Sequence, residues 1–267
     1  MSHMSITNLS VGYLKKCIID NLNIDRIPRG KVTVLLGPNG CGKSTLMRGL
    51  AGLGNAKGKL YLDEEDIMSM PLSQRAEKVV YLPQSIPSGI HLHVFESVIV
   101  AARATGNAEY ATEERVMKTL ERLGIEHLAF AYLDELSGGQ KQLVGLAQSL
   151  IRKPDLLLLD EPLSALDLNY QYHVMDLVKK ATQKRNIITI VVVHDINIAL
   201  RHADHVIMMK AGKHVASGAP CEVITPCNLA EVYGIKGRVE CCSSGYSQVI
   251  IDGVLPKHSC KMLKTGS

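Results

Sequence analysis

The nine residues Gly37, Pro38, Asn39, Gly40, Cys41, Gly42, Lys43, Ser44 and Thr45 restrict what this chain can become more than any other stretch. They match G-x-x-x-x-G-K-[ST], placed after the apolar run of residues 31–36 and before a segment with helical spacing. A strand that turns through glycines into a helix aims several backbone N–H groups and the positive end of the helix at one point, which is where a phosphate sits. Gly37, Gly40 and Gly42 let the backbone curl, Asn39 belongs to the same nucleotide-binding loop, and Cys41 occupies a variable position within it. In such a loop Lys43 holds β- and γ-phosphates, Ser44 binds Mg2+, and Thr45 supports the loop from the next helical position. The Cys41 thiol is then either a reactive group shielded by nucleotide or an inert small side chain.

Two further unbroken apolar runs, at residues 155–159 and 187–193, read as strands covered on both faces, which favours a parallel sheet between helices. The expected fold is therefore α/β with a mostly parallel sheet. From about residue 90 to 152 the spacing is helical instead. Val116, Leu120 and Leu123 share a face ended by Gly124, and Leu143, Leu146, Ala147, Leu150 and Ile151 form a stripe that starts after a glycine-rich turn. Two short runs flanking Ala211-Gly212 predict an antiparallel hairpin.

Composition narrows the class. The chain has 267 residues, 46% hydrophobic and 21% charged, which suits a globular protein and not a disordered or fibrous one. Its longest apolar runs fall far short of the roughly 18 residues that span a bilayer. Met1-Ser-His-Met4 reads as an expression scar, with no basic-then-apolar leader, so cytosol is the default compartment. Thirty Lys and Arg against 26 Asp and Glu are scattered along the chain, so nucleic acid is not the expected partner. Seven cysteines without repeated C-x-x-C spacing suggest reduced thiols, and His91-x-His93 and His202-x-x-His205 lack further spaced metal ligands.

Leu156-Leu-Leu-Leu159 delivers Asp160 and Glu161 at the C-terminal end of a strand, where ligands sit in open α/β sheets. Asp160 would complete a Mg2+ site, and Glu161 would orient or deprotonate the water that attacks the γ-phosphate. Leu136-Ser137-Gly138-Gly139-Gln140 opens a helix with a hydroxyl and bare N–H groups, which makes a second anion cradle. One nucleotide needs one phosphate cradle, so the second is suited to a nucleotide held by another subunit.

With this LSGGQ string the chain resembles the ATP-binding cassette (ABC) ATPases over nearly its whole length. The resemblance implies a P-loop NTPase (RecA-like) core with an N-terminal antiparallel β portion and a helical signature-motif subdomain. It also implies one domain over residues 4–267, with its nucleotide-binding core at 4–89 and 154–218, the helical subdomain at 90–153 and a C-terminal extension at 219–267. Tyr13 matches the aromatic that stacks on adenine, and Gln84 matches the glutamine that reaches Mg2+ and the attacking water. Asp167, in Ser164-Ala-Leu-Asp167, matches a loop that crosses the dimer interface, and His194 matches the switch histidine at the γ-phosphate. Ala147-Gln148-Ser149-Leu150 departs from the family's A-R-A-L string and leaves out its arginine.

The tail from Gly218 to Gly234 and the run from Leu166 to Tyr170 resemble the ATPase subunits of iron-chelate, haem and cobalamin importers. The implied protein is an ATP-hydrolysing subunit that pairs head to tail with a second copy around two ATP. It would work with an integral membrane permease docked near residues 84–105 and, indirectly, with an extracytoplasmic substrate-binding protein, from the inner face of the membrane. The alternatives are a soluble ABC ATPase of iron–sulphur cluster assembly and, with less support, a nucleic-acid or translation ATPase.

Overall fold

The computed structural model describes residues 3–13, 16–85, 89, 91–104 and 111–256, except the side chain of Tyr13. Strands β1 (His3–Tyr13) and β2 (Lys16–Pro28) precede β3 (Val32–Leu36), the glycine loop and helix α1 (Lys43–Leu50). Next come β4 (Asn55–Leu62), β5 (Glu65–Asp66), α2 (Leu72–Lys78) and β6 (Val79–Leu82). The chain then leaves the sheet for α3 (Val94–Arg103), α4 (Glu113–Arg122) and α5 (Gly138–Ile151). It returns through β7 (Leu156–Asp160), α6 (Leu168–Arg185), β8 (Ile188–Val192), α7 (Ile196–His202), β9 (His205–Lys210) and β10 (Lys213–Gly218). Helices α8 (Pro220–Val223) and α9 (Pro226–Tyr233) lead to a hairpin of β11 (Ile235–Cys241) and β12 (Ser247–Val254).

The main sheet has the order β10-β9-β3-β8-β7-β6, parallel throughout except for β10 at its edge. Every residue of β3, β7 and β8 is buried. Their unbroken apolar runs divide by pleat parity between two cores, since successive side chains point to opposite faces. Val34, Leu157, Leu159, Val191 and Val206 pack with α3 to α7, while Leu35, Leu156, Leu158, Ile190 and Ile207 pack with α1 and the antiparallel sheet β2-β1-β4-β5. Full burial of each such side chain contributes about 1.5–3 kcal/mol, so a sheet wetted on either face would lose its cohesion.

Local signals agree with these layers. Thr112 caps α4, whose first turn carries Glu113 and Glu114, and Gly124 at φ 68° ends it. The β9–β10 hairpin forms around Ala211 (φ 47°) and Gly212 (φ 77°), with Lys210 opposite Lys213, the left-handed pair that a two-residue turn needs. Among the described residues no helix is long and apolar enough to cross a membrane.

Candidate functional site

Strand order decides which residues meet. β3, β8, β7 and β6 lie side by side and parallel. Their C-terminal ends therefore bring the glycine loop, His194, the Asp160-Glu161 pair and Gln84 to one edge. A cavity of about 440 Å³ opens there, lined by Ile18, Asn39, Gly40, Gly42, Lys43, Ser44, Thr45, Gln84, Glu161 and His194.

The loop is shaped by contacts that exclude larger residues. A Cβ at Gly37 (φ 154°) would lie 2.4 Å from the Met209 carbonyl oxygen, and Gly42 caps α1 in the left-handed region at φ 106°. Lys43 is buried, and its Nζ donates to the carbonyls of Gly37 at 2.8 Å and Pro38 at 3.2 Å. Cys41 differs from its neighbours: its side chain is buried in the core under the loop and does not line the cavity. Burial pushes its thiol pKa up, against the charge of Lys43 and backbone hydrogen bonds. The fold thus sets Cys41 apart from the cavity wall, as a small buried side chain under the loop.

Asp160 is 1% exposed and sits beneath the loop. Ser44 Oγ donates to its Oδ1 at 3.2 Å and the Tyr81 hydroxyl donates to its Oδ2 at 3.0 Å. Burial raises its pKa, the two hydrogen bonds and Lys43 oppose this, and the charge of Glu161 adds to it. Glu161 lies higher, its carboxylate between two side chains. Gln84 Nε2 donates to Oε2 at 2.6 Å, and His194 Nε2 lies 2.7 Å from Oε1. Its backbone is left-handed at φ 52°, and its carbonyl accepts from Gln142 Nε2 at 2.8 Å and from Ser164 Oγ at 3.1 Å.

The second cradle is elsewhere. Ser137 caps α5: Gln140 N–H donates to Ser137 Oγ at 3.3 Å, and Ser137 N–H donates to Gln140 Oε1 at 2.9 Å. Ser137, Gly139 and Gln140 line a different cavity of about 230 Å³ together with Asp167, whose carboxylate caps α6 by accepting from Tyr170 N–H at 3.0 Å. A Cβ on Gly139 would come within 2.7 Å of the Ala165 carbonyl oxygen, whereas Gly138 has more room. Lys43 and Ser137 of one chain thus open into separate spaces. The adenine assignment of Tyr13 falls on a side chain outside the described residues; Ile18 of β2 is among the residues that line the cavity.

Tyr81, Gln142 and Tyr233 are contacts that sequence reasoning missed. Tyr81 stands in the string Tyr81-Leu-Pro-Gln84, three residues before the glutamine that drew attention. Gln142 lies one turn into the signature helix and touches the Glu161 backbone only through the tertiary fold. Tyr233 of α9 hydrogen-bonds the backbone of Gly37, and burial pushes its pKa up to about 12.

Comparisons with known proteins agree with this geometry. The ABC transporter family model matches residues 19–164. The chain is 34% identical over 244 residues to the iron(3+)-hydroxamate import ATP-binding protein of Bacillus subtilis, covering 90% of each. It is 35% identical over 234 residues to the ferric enterobactin transport ATP-binding protein of Escherichia coli, covering 85% of this chain and 86% of that one. A solved metal-chelate type ABC transporter in an inward-facing conformation superposes with TM-score 0.76 at 26% identity, covering 94% of this chain and 98% of the other. With the phosphate loop, the paired carboxylates and the signature turn all in place, the chain belongs to the ABC transporter family, as one of its ATP-binding, ATP-hydrolysing members.

Proposed function

We propose that this chain is the ATPase subunit of a metal-chelate importer, that it pairs head to tail with a second copy around two ATP, and that it drives a separate permease from the inner face of the cell membrane. The single observation that carries the catalytic part is the Glu161 carboxylate, held between Gln84 and His194 at the wall of the cavity that Lys43 and Ser44 also line. The cargo class follows from relatives named for iron(3+)-hydroxamate and ferric enterobactin transport. Exposed Val100 and Phe130 on the helical segment, 58% and 76% accessible, support a protein partner on that side. The permease contact expected near residues 84–105 falls partly outside the described residues.

In this reading Lys43 exchanges its loop carbonyls for β- and γ-phosphate oxygens, and the loop N–H groups and the start of α1 hold the same oxygens. Glu161 accepts a proton from the water that attacks the γ-phosphorus as the bond to the bridging oxygen breaks, giving ADP and phosphate. His194 faces the γ-phosphate and fixes the Glu161 carboxylate. Ser44 and Asp160 fit a Mg2+ ion: they are hard oxygen donors 3.2 Å apart, and the buried carboxylate gains from a cation nearby. Gln84 would join them. The ion, when bound, neutralises charge on the β- and γ-phosphates. Ser137 and its glycines cover the phosphates bound by the partner copy, which accounts for two cradles in separate cavities of one chain.

The test is Glu161→Gln, which keeps the size and shape of the side chain but replaces one acceptor oxygen by a donor and removes its basicity. We expect MgATP to bind as in the parent and turnover to fall at least about 100-fold, the scale of a lost general base. Near-native turnover would remove Glu161 from this role.

A further inference from the structure

We propose that Cys221 and Cys241 form a thiol–disulfide exchange site, which a small-molecule disulfide of the glutathione class oxidises to a reversible bridge between α8 and the hairpin of β11 and β12. Four of the chain's seven cysteines fall in the C-terminal extension: Cys221, Cys227, Cys241 and Cys242. Cys221 lies in α8, and Cys241 ends β11, where it stands opposite Ser247 of β12. Ser247 brings the two together, since its Oγ is 3.6 Å from Cys221 Sγ and 4.0 Å from Cys241 Sγ. A hydroxyl carries one proton and two lone pairs, so it can donate to one sulphur while accepting from the other thiol, and both are held at one point. Both cysteines are exposed. Each side chain can therefore turn about its Cα–Cβ bond toward the other without displacing a packed neighbour, and an oxidant reaches both from solvent.

Other thiols are set apart. Cys41 is buried, and Cys17 Sγ donates to the Ile19 carbonyl at 3.0 Å. Cys242 follows Cys241 directly, and adjacent Cα atoms lie about 3.8 Å apart, short of the roughly 4.4–6.8 Å that a disulfide spans. In the exchange the thiolate of one cysteine attacks a sulphur of the oxidant, which joins protein to small molecule and expels the first small thiol. The second cysteine gives up its proton and attacks the protein sulphur, which closes the bridge and expels the second small thiol. Two protein thiols are oxidised, one external disulfide is reduced to two thiols, and two protons pass from the protein to the leaving groups. In a reducing compartment such a pair rests as thiols and bridges only under oxidising conditions. The bridge closes the chain around residues 222–240, which include all of α9. Tyr233 of that helix hydrogen-bonds the backbone of Gly37, where the phosphate loop begins. Oxidation therefore braces the helix that supports the nucleotide site. That consequence rests on the Tyr233 contact, whereas the bridge does not, and neither rests on the importer reading.

The test is to reduce the full chain, remove the reductant, incubate with oxidised glutathione and digest the monomer band under non-reducing conditions. A cross-linked peptide joining Cys221 to Cys241 is expected, and dithiothreitol should release it. Cys221→Ser and Cys241→Ser should each abolish that peptide and stop at a mixed disulfide with glutathione on the remaining thiol. Cys242→Ser should bridge like the parent, with ATP affinity equal to the parent's marking the folded samples that are compared. Absence of the Cys221–Cys241 peptide from the parent, a bridge from either residue to another cysteine, or a bridge formed only between two chains would overturn the site. Loss of the bridge in Cys242→Ser would overturn the pairing as stated. Hydrogen exchange tests the consequence: amides of α9 are expected to exchange about tenfold more slowly after oxidation. An unchanged rate would overturn the bracing of α9.

Discussion

Glu161 combines a chemical demand with a backbone one. A non-glycine residue at φ 52° is strained by about 1 kcal/mol or more, and the fold holds it there through Gln142 and Ser164, both on its carbonyl. Gln142→Ala is therefore expected to lower kcat about tenfold, the effect of losing one buried hydrogen bond, while the KM for ATP stays within about twofold. Steady-state kinetics decide this, and a raised KM with unchanged kcat would assign Gln142 to nucleotide binding instead. Lys43, Ser44, Asp160 and Glu161 were legible in the sequence because their chemistry is local: a lysine after a glycine loop and two carboxylates after an apolar strand. Tyr81 and Gln142 were not, because each reaches a partner far away in sequence, Tyr81 on the neighbouring strand and Gln142 from α5, and nothing in a neighbouring residue marks the contact. Cys41 was ambiguous for a related reason, since a loop position does not say which way its side chain turns.

Elements show the same division. The parallel strands were legible because burial on both faces requires unbroken apolar runs, and α5 was legible because Ser137 and Gln140 form a reciprocal cap. The hairpin of β11 and β12 was not expected. Its strands mix exposed polar residues with a few buried ones such as Val249, so neither alternation nor an apolar run sets it apart. One of its ties to the body is Asn197 of α7, whose side-chain oxygen accepts from Val249 N–H at 2.7 Å, and another is Arg201, which stacks over the Tyr246 ring. The β9–β10 turn gives a prediction at this scale. Ala211 occupies a left-handed position that asparagine adopts more readily, and Asn-Gly is the preferred pair for such a turn. Ala211→Asn should stabilise the chain by about 0.5 kcal/mol, a rise of roughly 1–2 °C in the Tm of a chain this size. A lower Tm would mean that the turn is not of this type.

For the whole molecule, one buried and two half-buried histidines contribute to the response to acid. Burial holds His205 down to about 4, with Lys31 acting in the same direction, and burial also lowers His202 and His214. His205 Nδ1 and His214 Nε2 are buried without a hydrogen-bond partner. These groups stay neutral in the fold but gain protons when the chain unfolds, so the unfolded state binds more protons below the ordinary histidine range. For His205 this contribution to stability is complete above about pH 6.5 and is lost as pH falls toward about 4, and His202 and His214 act in the same direction. His205→Gln should flatten the fall in Tm between these limits, and an unchanged slope would place the acid sensitivity elsewhere. The central claim concerns two molecules: the nucleotide is gripped by the Lys43 loop of one copy and the Ser137 turn of the other. Sedimentation of Glu161→Gln with MgATP measures this most directly. The account predicts a dimer that forms only with ATP and returns to monomer when Ser137→Arg is added. A monomer with ATP bound, or a dimer indifferent to both ATP and Ser137, would contradict it.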